Sequence, residues 1–294
     1  MAVTAPTKTT DFAGFLKPDE AQPYFDQARR SSVVQSLARQ VPLGANGIET
    51  PIVTSKPTAA WVAEGGQKPA TKGSLALKSM QPKKIAAIAV VSAEVVRANP
   101  GNYVNIFRED IAEAFSIAFD AAALHGTNSP FGAGQNIDAT TKAVEIGTGD
   151  TVYNDIVAGL AALVNAGKKL NGFAFDSVAE PLFLDSVDAN NRPLWIDTPL
   201  EDTVLSGGRL IGRRAFMGDG VSGGTVVGYG GDWSQAIWGV VGGITYDVST
   251  EATVTINGQL TSLWENNLVA IRAEAEYGFL LNDAESFVKY TNAA

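Results

Sequence analysis

Cysteine is missing altogether, and histidine occurs once, at His125. The first absence excludes disulfides, thiolate metal sites and cysteine nucleophiles together. With a single imidazole, a zinc site would have to be built from carboxylates, which is uncommon. Any Ser-His-Asp triad would have to use His125. Long apolar runs are missing too. None approaches the roughly 20 residues that a membrane-spanning helix needs. The opening MAVTAPTKTTDFAGF has no basic region followed by an apolar core, so no secretory signal is expected. Positive charge is also short. There are 22 Lys and Arg against 31 Asp and Glu, for a net charge of -9, which makes the chain poorly suited to gripping nucleic-acid phosphates.

What is present describes a globular protein. Of 294 residues, 45% are hydrophobic and 18% charged, enough for one large domain or two moderate ones. Thirty glycines predict many turns and short strands.

The chain is organised around Trp61 to Pro100. Residues 65–93 hold five lysines (Lys68, Lys72, Lys78, Lys83 and Lys84) and no acid, so the remainder carries -14. A basic arm on an acidic body suits an arm that lies on another acidic surface. Ser74 to Met80 alternates loosely, and Lys83 to Val91 reads as the strand returning beside it. A two-stranded hairpin is marginal alone, so it must fold back on its own domain or reach a neighbouring subunit.

Elsewhere the patterns are local. Pro18-Asp-Glu opens a helix whose apolar stripe (Phe25, Ala28, Val33, Val34, Leu37, Val41) ends at Pro42-Leu-Gly. Ile48 to Ser55 is a strand. Tyr103 to Leu124 repeats apolar residues every three or four positions, giving one long amphipathic helix. Tyr153 to Ala166 and Val178 to Val187 read as further helices, separated by a turn and a short strand within Asn171-Gly-Phe173-Ala-Phe175-Asp. From Arg209 the chain turns β-rich, with strands at Ala236–Val241, Ile244–Ser249, Thr253–Ile256, Leu268–Leu281 and Phe287–Tyr290. Asn257-Gly258 is a strong hairpin turn.

Few residues point to chemistry. His125 closes the long helix, where histidine usually partners the dipole or packs. Gly218-Asp-Gly-Val-Ser-Gly223 spells G-x-G-x-x-G, but a strand pattern follows it, and a dinucleotide site needs a helix there. Trp195, Trp233, Trp238 and Trp264 fit packing better than base stacking, because no basic stripe accompanies them.

The order of features is similar to something known. Ala60-Trp-Val-Ala-Glu64-Gly65 leads into the lysine-dotted loop. Then come Lys83-Lys-Ile-Ala-Ala-Ile-Ala-Val-Val-Ser92-Ala-Glu94, the long helix ending in Leu124-His-Gly126, Arg192-Pro-Leu-Trp195, Gly228-Tyr-Gly-Gly-Asp-Trp-Ser-Gln-Ala-Ile-Trp238, and Val269-Ala-Ile-Arg272 running to Phe287-Val. Over nearly its whole length the chain resembles the major capsid proteins of tailed bacteriophages, with the HK97-like fold. The resemblance implies an α+β protein with an N-terminal arm (1–57), an extended loop lying across a neighbouring subunit (58–91), a peripheral domain with a spine helix (92–149, helix 103–124), a mostly axial domain (150–265), and a return to the peripheral sheet (266–294). The implied function is an icosahedral shell of hexamers and pentamers, assembled in the host cytoplasm around double-stranded DNA that is enclosed without sequence-specific binding.

The residues expected at the inter-subunit contact are Trp61, Glu64, Lys68, Lys72, Lys78, Lys83 and Lys84, meeting acidic groups on the adjacent copy. The implied partners are the chain itself, a portal, and a scaffold protein that is separate because the arm begins close to Met1; a decoration protein is an optional addition. No cofactor, metal site, membrane contact or enzymatic activity is called for. A subset of the family links subunits covalently, a loop lysine attacking an asparagine carboxamide with a glutamate as base. Asn267 and Glu274 stand at the matching seven-residue spacing, and Lys78 lies near the matching loop position. Two other readings are carried forward. One is an encapsulin-type compartment of the same fold, to be told apart by a cargo-peptide groove. The other is a small-molecule enzyme, which requires an apolar pocket with converging carboxylates.

Overall fold

The structure, a computed structural model, describes residues 32–98, 103–147, 151–186, 195–197 and 206–292. Among these, the helices are α1 (Val33–Leu37), α2 (Ala93–Ala98), α3 (Tyr103–Leu124), α4 (Val152–Asn165) and α5 (Glu180–Asp185). The strands are β1 (Arg39–Gln40), β2 (Ile48–Ser55), β3 (Ser74–Met80), β4 (Lys83–Ser92), β5 (Ala143–Ile146), β6 (Gly172–Phe175), β7 (Trp195–Asp197), β8 (Ser206–Leu210), β9 (Arg213–Met217), β10 (Val226–Gly231), β11 (Ala236–Ser249), β12 (Thr253–Ile256), β13 (Gln259–Ser262), β14 (Leu268–Leu281) and β15 (Phe287–Asn292).

Two sheets carry the molecule. The first has the order β1-β11-β14-β4 and is built on two 14-residue strands, β11 and β14. Helix α3 lies along it, burying Ile111 and Phe115 against Ala273 and Ala275. The small β14 side chains let the helix come close. The second sheet has the order β5-β15-β10-β6-β9-β8-β7. Its central strands β6 and β10 are buried at every position, so they read as continuous apolar or glycine runs rather than alternating ones. Phe173, Phe175, Phe183 and Tyr290 fill its core with α4 and α5. A third core joins the sheets, with Trp233, Tyr229, Phe119, Phe279 and α1 packed together.

Several expectations are met at the residue level. The long helix occupies Tyr103–Leu124, the last long strand Leu268–Leu281, and Asn257 and Gly258 both take positive φ in the turn joining β12 to β13. Others are corrected. The N-terminal helix stops at Leu37 rather than Val41, because Ala38 turns extended and Arg39–Gln40 pairs in parallel with β11. The part expected over 18–31 lies outside the described residues. Ala236–Val241 and Ile244–Ser249 form one strand with a bulge at Gly242-Gly243, since β14 pairs with both halves. Val178–Val187 resolves into a 3-10 turn, Ser177–Ala179, followed by α5.

The expected division at 265/266 does not follow the sheets either. Strand β11 already belongs to the first sheet, and β15 lies in the second, between β10 and β5.

The Gly218–Gly223 stretch is a loop between β9 and β10. The Asp176 carboxylate accepts the N–H groups of Gly220 and Ser222, each at 3.0 Å. Burial works against ionising Asp176, but the N–H groups of Ser222, Val178 and Gly220 outweigh it and hold the pKa below the usual carboxylate value. Gly220–Gly224 also spells G-x-S-x-G. The nucleophile elbow needs a helix after the serine, and here β10 follows.

Candidate assembly surface

The basic stretch does form a two-stranded ribbon, but not with the expected partner. β3 pairs antiparallel with β2, from Ile48 opposite Met80 to Ser55 opposite Ser74. β4 instead pairs with β14 along its whole length, from Leu268 opposite Ser92 to Tyr277 opposite Lys83. The projecting element is therefore β2, the loop 56–73 and β3, and the expected 58–91 segment combines one half of it with a core strand.

This ribbon is bare. Every residue from Ser55 to Leu77 is exposed. Val53, Leu75 and Leu77 are 57%, 71% and 67% exposed, and Trp61 is fully so. Glu64, Lys68 and Lys72 share the loop with Trp61. Apolar side chains on an element one layer thick lose their burial free energy unless something covers them. Leu or Val is worth about 1.5–3 kcal/mol each when fully buried.

The base of the ribbon is fastened. Met80 is buried with Leu43 and Leu280. Gly278 makes room for it: a Cβ there would lie 2.8 Å from Leu43 Cδ2 and 2.9 Å from Met80 Cγ. Lys78 Nζ donates to the carbonyls of Leu281 and Asn282 at 3.1 and 2.7 Å. The five lysines thus divide. Lys68 and Lys72 ride on the loop, Lys78 ties down its root, and Lys83 and Lys84 open β4. Lys84 also pairs with Glu274 at 3.0 Å.

The crosslink candidates do not meet within one subunit. Asn267, at φ 51°, donates from Nδ2 to Glu94 Oε1 just before β14. Glu274 is held by Lys84 and, at 3.5 Å, by Arg272. Lys78 sits at the far end of β14. Fourteen residues of strand separate Asn267 from Leu281, roughly 46 Å at about 3.3 Å per residue.

Sequence reasoning passed over other features. The β12–β13 hairpin exposes Leu260, and Trp264 just after it, read from the sequence as a packing residue, is 76% exposed in the single chain. Asp120 is the one charged residue in Ala114–Leu124, and the structure buries it: Ser32 Oγ, Val33 N and Val34 N all donate to its carboxylate. That lone acid in an apolar run was the available signal. Burial pushes its pKa up to about 6, against the opposing pull of those three donors. His125 Nδ1 shares a hydrogen bond with Tyr229 Oη at 2.9 Å, under the Gly223 backbone. Burial lowers the His125 pKa, while the nearby Asp138 charge works the other way.

One cleft, of about 310 Å³, borders α3 and the start of β4, and another, of about 430 Å³, lies between the end of β3, the start of β4 and the 130–135 loop. Lysines line them and no carboxylate does, so they lack what the enzyme reading requires.

The phage capsid family matches residues 13–292. The chain belongs to the phage capsid family. Among its relatives, the probable major capsid protein gp17 of Mycobacterium phage D29 is 44% identical over 301 residues, covering 99% of this chain and 94% of that one. Its counterpart from Mycobacterium phage L5 is 43% identical over 303 residues, covering 98% and 92%. A solved chain from Gordonia phage Cozz superposes with a TM-score of 0.75 at 22% identity, covering 97% and 94%. The capsid of an empty GTA particle gives 0.66 at 15%, covering 97% and 98%. The fold is thus the α+β, HK97-like capsid fold. Phage capsid proteins assemble into multimeric shells by contact with copies of themselves.

Proposed function

We propose that this protein is the major capsid protein of a tailed phage, assembling in the host cytoplasm into hexamers and pentamers that close around double-stranded DNA. The observation that carries the reading is the β2–β3 ribbon: 23 consecutive exposed residues, 55–77, containing Trp61, Leu75 and Leu77, on a root fastened by Met80. Such a ribbon fits the extended loop laid over an adjacent copy. Lys68 and Lys72 then meet acidic groups there, with Trp61 and Glu64 in the same contact. Lys78, Lys83 and Lys84 serve the junction at the ribbon's root.

The first sheet with α3, including β11, fits the peripheral domain, and the second sheet, including β15, fits the axial domain. A separate scaffold protein and a portal complete assembly, with a decoration protein as an optional addition to the shell. Relatives carrying the name of major capsid protein at 44% and 43% identity favour this over an encapsulin-type compartment.

The test replaces residues 57–72 by a short Gly-Ser turn and sediments the expressed protein. Soluble, folded subunits that build no shells are expected. Normal shells would overturn the assignment of the ribbon. Changing Lys68 and Lys72 together to Glu should weaken assembly and reverse its salt dependence, so that added salt helps, because opposite-sign contacts across the interface become like-sign ones.

A further inference from the structure

The sequence holds three Asn-Gly pairs, at 46–47, 171–172 and 257–258. In an unfolded chain the three are chemically alike. Glycine has no side chain to shield its amide nitrogen or restrict its backbone, so that nitrogen can reach the preceding carboxamide carbon. The fold treats the pairs differently. Asn171 is held at both ends of its carboxamide: Nδ2 donates to Asp232 Oδ1 at 2.8 Å, and Oδ1 accepts the N–H of Trp233 at 3.0 Å. Gly172 is buried in β6 against Trp233. At Asn46 the attacking group is engaged instead. The Gly47 N–H donates to the Gly44 carbonyl at 2.9 Å, and Gly47 lies so close under Met80 that a Cβ would stand 2.6 Å from the Met80 carbonyl oxygen.

Asn257 has a different setting. Asn257 and Gly258 are exposed and form the whole turn between the paired residues Ile256 and Gln259, with φ at 52° and 81°. That turn closes a separate two-stranded sheet whose strands are four residues each. A ribbon so small has little cooperative support, so its tip opens at low cost.

We propose that Asn257 is a site of spontaneous deamidation, selected from the three Asn-Gly pairs by the fold. The Gly258 amide nitrogen gives its proton to solvent base and attacks Asn257 Cγ. The new C–N bond closes a cyclic imide, the Cγ–Nδ2 bond breaks, and Nδ2 leaves as ammonia after taking up a proton. Water then opens the imide at either carbonyl, giving aspartate or isoaspartate. The sequence of steps consumes one water and needs no oxidant and no cofactor. Either product puts a new negative charge on an exposed turn. Isoaspartate also adds a carbon to the main chain, which the two-residue turn geometry does not fit. The modification therefore acts on the exposed hairpin that carries Leu260 and leaves the two large sheets untouched.

The test incubates the purified full chain at mildly alkaline pH, once folded and once in urea, and follows each Asn-Gly peptide by mass spectrometry. In the folded protein, deamidation at residue 257 should run at least five times faster than at 46 or 171, yield isoaspartate as well as aspartate, and speed up as pH rises. In urea the three rates should converge to within about twofold. Asn257→Gln, whose longer side chain disfavours ring closure, should remove the acidic product from this peptide while circular dichroism stays unchanged. A folded-state rate at Asn257 no greater than at Asn46 or Asn171 overturns the proposal. Aspartate without isoaspartate also overturns it, because direct hydrolysis would then replace the imide. Rates that keep the same ranking in urea overturn it as well, because the selection would lie in the neighbouring residues and not in the fold.

Discussion

The main-chain N–H of Val33 donates to Asp120 Oδ2 at 2.9 Å, across 87 residues of chain. A carboxylate near the C-terminal end of the long helix thereby caps the N-terminus of α1 and holds it against the core. Asp120→Asn keeps the shape but offers an N–H where an acceptor is needed. It should cost about 1–3 kcal/mol of stability and loosen residues 32–38, read by urea unfolding and by faster amide exchange at Val33 and Val34.

The same residue has a pH signature. Its folded pKa, about 6, lies above the ordinary value of 3.8. The folded state therefore binds this proton more tightly. The stabilising contribution is complete below about pH 4 and is lost as pH rises through about 6. At roughly 1.4 kcal/mol per pKa unit, it amounts to about 2–3 kcal/mol. The difference in unfolding free energy between the parent and Asp120→Asn, followed from pH 4 to 7, should move in that direction.

His125 runs the opposite way. Its folded pKa lies below the ordinary 6.5, first because it is buried. The neutral ring adds stability above about pH 6.5, and this is lost as pH falls through the folded value. Replacing it with Gln, which keeps a partner for Tyr229, should flatten the loss of stability between pH 7 and 5 in thermal melts.

Gly278→Val would drive a side chain into Leu43 and Met80 at the root of the ribbon. Overpacking of this kind costs about 1–3 kcal/mol. Subunits should melt at lower temperature and assemble poorly. Gly243→Ala, where nothing lies within 4 Å of the added Cβ, serves as the comparison.

Denaturing gels of complete particles should show one band at the monomer mass. Lys78 already spends two hydrogen bonds on the carbonyls of its own subunit, and Glu274 is engaged by Lys84. A ladder of multiples would establish covalent linkage between subunits, with Lys78 and Asn267 as the first residues to exchange.

Much of this was legible in the residues. The three- and four-residue spacing of α3, the unbroken apolar run of β4 and the Asn-Gly turn are local signals, and the structure reproduces each. The thinness of the basic stretch was also readable, and the structure leaves residues 55–77 exposed. Asp120 was harder. A lone acid in an apolar run announces itself, but only the return of residues 32–34 to its carboxylate says what it does.

The sequence by itself determined the longest helix, the longest late strand, the charge of the ribbon and the family to which the chain belongs. The tertiary structure decided which strands are neighbours. Alternation along β3 says which side chains share a face, yet the same pattern can pair with β2 or with β4. That choice is made by β14, whose 14 residues take β4 into the core sheet and leave β3 to β2. It is also why Lys68 and Lys72 stand free on the projecting loop while Lys83 and Lys84, only a few residues further on, line a cleft.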